Sequence, residues 1–201
     1  MSETITSIDE NGANSVWGQL LEGNRRFASG KSEHGNQDVA RRESLLAGQH
    51  PMAAVLSCAD SRVPPEIIFD QGLGDLFCVR SAGCVLGTAV TESLEYAVSH
   101  LGVKVLVVLA HENCGAVRAA MEGGHEDELP HVMGELRDSI DLAREAELDD
   151  PADVERIHVA RILERLVDNS DVIRRHLADD SLYLAGARYS MSTGRVEVLS
   201  F

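Results

Sequence analysis

Val103-Lys104-Val105-Leu106-Val107-Val108-Leu109-Ala110 is followed at once by His111. The run is apolar apart from Lys104 and rich in β-branched residues. A half-exposed strand would alternate polar and apolar positions, so a continuous run predicts a strand covered on both faces, as in the middle of a parallel sheet. Working outward, Ala53–Cys58 and Asp75–Arg80 read as further short strands, Leu182–Ala187 as a fourth, and Val196–Leu199 as an edge strand after the turn at Thr193-Gly194. Helical spacing fills the gaps. Ala89–Leu101 carries Leu94, Ala97, Val98 and Leu101 on one side, and residues 152–167 have apolar side chains at 154, 157, 160, 163, 166 and 167 behind the start signal Asp150-Pro151. Ser15–Phe27 predicts an amphipathic N-terminal helix. Strands alternating with helices predict an α/β fold: a central, mainly parallel sheet flanked by helices, with an N-terminal helical arm. Residues 1–201 read as one domain, the arm over about 15–48 and the core over about 50–200, with no repeat or linker between them.

Composition narrows the function class. The 201 residues are 44% hydrophobic and 25% charged, ordinary for a globular chain with a sizeable core. Four cysteines at 58, 78, 84 and 114 have no spacing of a disulfide framework, which predicts a reducing, cytoplasmic setting. Met1–Glu10 is polar and acidic and does not read as a signal peptide, and the run Val105–Ala110 is too short to span a bilayer. The net charge of −15 argues against nucleic acid and anionic membranes as partners, since phosphate binding needs clustered Lys and Arg. Residues 122–155 alone hold 13 Asp or Glu against Arg137 and Arg144, and read as a solvated helical face and loop.

The fold order locates a site. Ligands of open parallel sheets collect beyond the carboxyl ends of the strands. Cys58 ends one strand, and His111 follows another. Cys58-Ala59-Asp60-Ser61-Arg62 and His111-Glu112-Asn113-Cys114-Gly115-Ala116-Val117 therefore bring two thiols and an imidazole to one edge. Thiolate and imidazole together suit Zn²⁺, and three protein ligands leave a fourth position for water, the pattern of a catalytic site. Core packing of these side chains is the alternative that spacing leaves open. Cys78 and Cys84 read as small buried residues. Gly72-Leu73-Gly74 precedes a strand rather than a helix and so is no nucleotide loop. The other histidines (34, 50, 100, 125, 131, 158, 176) read as surface or packing residues.

Cys-x-Asp-Ser-Arg followed about fifty residues later by His-x-x-Cys-Gly-Ala resembles the β-class carbonic anhydrases, and the similarity runs from about Ser15 to Leu199. It includes Gly74-Asp75-Leu76-Phe77-Cys78-Val79-Arg80-Ser81-Ala82-Gly83 and Glu92-Ser93-Leu94-Glu95-Tyr96-Ala97-Val98, with Cys84 where the family often has Asn or His. The resemblance implies zinc-dependent, reversible hydration of CO2 to bicarbonate and a proton. It implies Cys58, His111 and Cys114 as zinc ligands and Asp60 with Arg62 as the dyad beside them. Asp60 has an alternative, direct coordination that closes the fourth position. The resemblance further implies a substrate pocket of Val63, Phe77 and Tyr96, with Gln49 and the Gly115 amide as hydrogen-bond donors. Gln49, Phe77 and Tyr96 match the subgroup with an open zinc position, and Val55 stands where the closed subgroup has Trp. The same resemblance implies that the N-terminal helix, which lacks an obvious partner in one small domain, wraps a neighbouring subunit in a homodimer or dimer of dimers. Two other functions stay open on the same residues: hydrolysis of CS2 or COS, and non-catalytic zinc or bicarbonate binding.

Overall fold

The computed structural model describes residues 12–200, so the polar opening segment 1–10 lies outside the described residues. The elements run α1 (Ala13–Ala28), α2 (Val39–Ser44), β1 (Ala53–Cys58), α3 (Pro65–Ile68), β2 (Leu76–Ser81), α4 (Thr88–Ser99), β3 (Val105–His111), α5 (Gly115–Glu122), α6 (Pro130–Glu145), α7 (Pro151–Asn169), α8 (Asp171–Ala178), β4 (Tyr183–Tyr189) and β5 (Val196–Leu199). A single 3₁₀ turn, Ala82–Cys84, follows β2.

The sheet has the order β2-β1-β3-β4-β5, with β1 to β4 parallel and β5 antiparallel at the edge. Every residue of β1 and β3 is buried, as continuous apolar runs require when helices cover both faces. Successive side chains point to opposite faces, and the two faces sort by parity. Val55, Val105, Val107 and Leu109 pack with Val16, Trp17, Leu20, Ile68 and Phe69 from α1 and the α3 end. Ala54, Leu56, Leu106 and Val108 pack with Leu94, Ala97, Val98, Ile162 and Leu166 from α4 and α7. No helix among the described residues is long and apolar enough to cross a membrane.

Two sequence expectations are corrected here. The N-terminal helix has a partner in its own chain: Trp17 meets Phe69 edge-on at 6.3 Å, Leu20 is fully buried, and Gly23 lies so close to α3 that a Cβ there would sit 1.9 Å from the Phe69 carbonyl oxygen. The reading missed this because the partner residues, Ile68 and Phe69, belong to a helix too short to show periodicity. The acidic stretch 122–155 is the solvated helical face and loop expected, apart from Glu155. It contains α6, whose Met133, Leu136, Ile140 and Ala143 are buried, and it contains Glu155, also buried. The buried stripe of α7 is Val154, Glu155, His158, Val159, Ile162 and Leu166, whereas 157, 160, 163 and 167 are only partly covered.

Candidate active site

The carboxyl edge of β1 and β3 carries the predicted cluster. Ser57 pairs with Leu109 in the parallel register, which sets Cys58 and His111 at the ends of adjacent strands. Beyond β1 the chain turns through Asp60–Val63, where the Val63 amide donates to the Asp60 carbonyl at 3.0 Å. Arg80 on β2 pins this turn: its Nε donates to the Cys58 carbonyl at 3.0 Å and its Nη2 to the Asp60 carbonyl at 2.6 Å. Beyond β3, the Glu112 amide donates to the Tyr189 carbonyl at 2.8 Å. Asn113 takes a left-handed conformation, φ 56°, which Asn tolerates better than most residues. Cys114 then caps the start of α5. The ligand atoms of Cys58, His111 and Cys114 all lie within 4.8 Å of one another.

The donor set fits zinc on the hydrogen bonds alone. His111 is 1% exposed, and its Nδ1–H donates to the Glu112 carbonyl at 2.9 Å. Its Nε2 therefore keeps a lone pair, and that nitrogen is buried with no hydrogen-bond partner. An orphaned acceptor of this kind is costly unless something fills it. A metal held also by two sulfurs does so, and the second-shell carbonyl fixes the tautomer that a metal needs. Of the two ligand thiols, Cys58 is shifted in the direction that metal binding needs. Hydrogen bonds from Cys114 and Cys84 hold Cys58 far below the usual thiol range, and the same Cys58 charge, together with burial, raises Cys114 and Cys84. Thiol ligands bind a metal as thiolates, so metal binding here is coupled to proton release.

Asp60 and Arg62 stand at the rim. Arg62 Nε and Nη2 donate to Asp60 Oδ1 and Oδ2 at 2.9 and 2.7 Å, and the Arg62 amide adds a third bond at 2.9 Å. The guanidinium beside it holds the Asp60 carboxyl down at about 2, which favours the ionised, hydrogen-bond-accepting form. Arg62 also reaches the Asn113 carbonyl at 3.4 Å and so bridges both ligand loops. Asp60 Oδ2 lies 4.0 Å from His111 Nε2, next to the place a metal would take.

The predicted substrate-lining residues divide. Gly115 is exposed as the first residue of α5, where helix geometry leaves its N–H without an internal partner. Val63 is fully buried and packs into the core beneath the Asp60 turn. Phe77 and Tyr96 meet each other, ring centroids 6.3 Å apart, with Tyr96 stacked on His100 at 5.0 Å. Phe77 pairs with Ala54, four positions before the Cys58–Ser81 row, which is ~13 Å along the strand. Gln49 is exposed between α2 and β1. Within one chain, then, the Phe77–Tyr96 pair stands apart from the Cys58–Ser81 row, as a pocket lined from two chains would require. Tyr96 is 45% exposed.

Residues that sequence reasoning passed over also meet here. Glu155 accepts the Cys114 amide at 3.1 Å and pairs with buried Arg188 at 2.7 Å. His158 bonds the Gly83 carbonyl and Ser139 Oγ, each at 2.8 Å. The one available signal was polarity at 155 and 158 on a helix that crosses the sheet. Burial pushes His158 down to about 4. An unfolded histidine titrates near 6.5, so on acidification the unfolded state takes up this proton first. The stability involved is complete above about pH 6.5 and is lost as pH falls to about 4, roughly 3 kcal/mol over the window. Urea midpoints of the metal-free protein across that range should therefore fall less steeply in His158→Gln than in wild type. Equal slopes would contradict a neutral, buried imidazole.

Comparison with known proteins agrees with this geometry. The carbonic anhydrase family model matches residues 53–196. Carbonic anhydrase 2 of Mycobacterium tuberculosis is 43% identical over 185 residues, covering 90% of this chain and 89% of that protein. The carbonic anhydrase of Mycolicibacterium smegmatis is 42% identical over 190 residues, with 92% of each chain covered. Among solved structures, one of the tetrameric β-carbonic anhydrases of Sordaria macrospora superposes with a TM-score of 0.69 at 26% identity, over 93% of this chain and 98% of that one. With its mainly parallel sheet and its Cys58-His111-Cys114 cluster, the chain belongs to the β-class carbonic anhydrase family.

Proposed function

We propose that this carbonic anhydrase hydrates CO2 reversibly with zinc held by Cys58, His111 and Cys114, and with Asp60 kept off the metal by Arg62. The observation that carries the reading is the two-pronged Asp60–Arg62 pair beside the unpartnered His111 nitrogen. Zinc held by Cys58, His111 and Cys114 would supply Lewis acidity, which lowers the pKa of bound water towards about 7. Asp60, fixed by Arg62, accepts the nucleophile's hydrogen bond and aims its lone pair at the carbon of CO2. The Gly115 amide donates to a substrate oxygen as charge develops there. Arg80 pins the Cys58–Asp60 loop, and Arg62 ties it to the loop that carries Cys114. Stopped-flow CO2 hydration by zinc-loaded protein tests the reading. Turnover of CO2 at least comparable to that of CS2 or COS supports it. Hydrolysis of CS2 or COS alone, or zinc binding without any turnover, replaces it with the other function.

The pocket is completed by a second copy. Phe77, partly buried, and Tyr96, exposed, form an aromatic pair on the β2 side of the sheet, away from their own ligand edge, and Gln49 is exposed between α2 and β1. Delivered across an interface, all three line the partner's site, which accounts for an open subgroup lining that one chain does not assemble. The tetrameric relatives support such an assembly. Sedimentation of the 21.8 kDa chain is expected to give a dimer or a dimer of dimers, and Tyr96→Ala is expected to weaken both assembly and turnover. A fully active monomer would contradict it. Four free cysteines, three of them in one cluster, fit a reducing, cytoplasmic location for this lyase.

A further inference from the structure

Helix α7 runs behind both sulfur ligands, and its two buried polar side chains sit one turn apart. Glu155 is 1% exposed. Its Oε1 accepts the N–H of Cys114 itself, and its Oε2 accepts Arg188 Nε, while Arg188 is flanked by Glu197 at 3.9 Å. His158 is 2% exposed. A carbonyl can only accept, so its Nε2–H donates to Gly83, and its Nδ1 accepts from the Ser139 hydroxyl. Gly83 in turn donates its N–H to Cys58 Sγ at 3.3 Å. That donation needs a left-handed backbone, φ 67°, and a Cβ at this position would press on Leu136 and Ala116 at 3.1 and 3.3 Å. Each side chain of α7 therefore ends on backbone that aims one thiolate.

We propose that Glu155 and His158 are positioning residues of the metal centre: Glu155 sets the Cys114 loop, and His158 sets the Gly83 turn whose amide orients the Cys58 sulfur. Stability alone is a poor reason to keep this arrangement. A buried ion pair such as Glu155–Arg188 loses nearly as much in desolvation as it gains, and apolar replacements of such pairs are often neutral or stabilising. Outer partners that fix ligand orientation, by contrast, commonly control metal affinity by about 10- to 100-fold. Two strands deliver Cys58 and His111, but Cys114 lies beyond β3 at the N-cap of α5, and the strand fixes the backbone of Cys58 without fixing its side-chain torsion. Those are the two ligands that α7 reaches.

The inference rests on zinc at Cys58, His111 and Cys114, and one experiment separates the two claims. Zinc affinity by chelator competition, and the thiolate-to-cobalt charge-transfer band of Co²⁺-loaded protein, are measured for wild type, Glu155→Ala, Glu155→Gln, His158→Ala and His158→Gln. Ile162→Val, two turns along α7 in the apolar layer, is the control. The alanine variants should bind zinc about 10- to 100-fold more weakly and shift the cobalt band. The glutamine variants, which keep one hydrogen bond each, should lose about three- to tenfold. Ile162→Val should lower only the thermal midpoint of the metal-free protein. If the alanine variants do not fold, the glutamine variants decide. Affinity within twofold of wild type and an unmoved band in the folded variants would overturn the proposal and leave the ligand assignment standing. Wild-type protein that takes up no stoichiometric metal would overturn the assignment and this proposal with it.

Discussion

Cys114→Ser is expected to empty the metal site and abolish CO2 hydration while the fold survives. The position makes this a clean test. Cys114 is the N-cap of α5, and serine is among the residues best suited to that place, so the helix start should lose nothing. What disappears is a thiolate. If the ~10–16 kcal/mol of a four-ligand thiolate and imidazole site is shared equally among its ligands, one of them is worth about 2.5–4 kcal/mol, or roughly 70- to 900-fold in zinc affinity. Elemental analysis should find less than a tenth of a zinc per chain after dialysis, against one in wild type, with turnover reduced in proportion. Full zinc occupancy in the serine variant would remove Cys114 from the ligand set.

The dyad variants should separate binding from turnover. Asp60→Asn cannot supply an anionic ligand and still fills the space beside Arg62, so zinc should stay bound. It does remove the charged acceptor that orients the nucleophile, and kcat should fall by about 100-fold or more, the usual scale for a positioned acid–base group. Arg62→Ala acts the other way. Asp60 loses both guanidinium bonds while lying 4.0 Å from His111 Nε2, and its carboxylate is then free to take the fourth position. Turnover should be lost near pH 7.5 with zinc fully retained. Wild-type turnover in either variant would mean that the pair merely ties two loops together.

How much of this the sequence disclosed depends on what kind of physics each element uses. The β1 and β3 runs are apolar apart from Ser57 and His111 near their carboxyl ends, and burial on both faces writes itself directly into composition, so the sheet and its ligand edge were readable. The metal ligands were readable because their residue types are rare together. In α7 the helix was evident but its inner face was misjudged. Counting apolar positions selects 154, 157, 160, 163, 166 and 167, whereas the face against the sheet includes Glu155 and His158. Hydrophobic periodicity has no way to score a charge that is buried because it has a partner, and the partners, Arg188 and Gly83, lie 33 and 75 residues away. Arg80 escaped for the same reason, since its acceptors are the backbone carbonyls of a neighbouring loop. The homes of Gln49, Phe77 and Tyr96 could not be read at all from one chain's periodicity. Phe77 looks like any strand aromatic, and only the register against Ala54 sets it apart from the ligand edge.

The account turns on Asp60 being Arg62's partner rather than a zinc ligand in the working enzyme. A crystal structure of zinc-loaded, catalytically active protein at pH 8.5 tests that most directly. The prediction is zinc on Cys58, His111 and Cys114, a solvent oxygen in the fourth position, and Asp60 still bonded through both oxygens to Arg62. An Asp60 oxygen on zinc in that preparation, with Arg62 turned away, would contradict it.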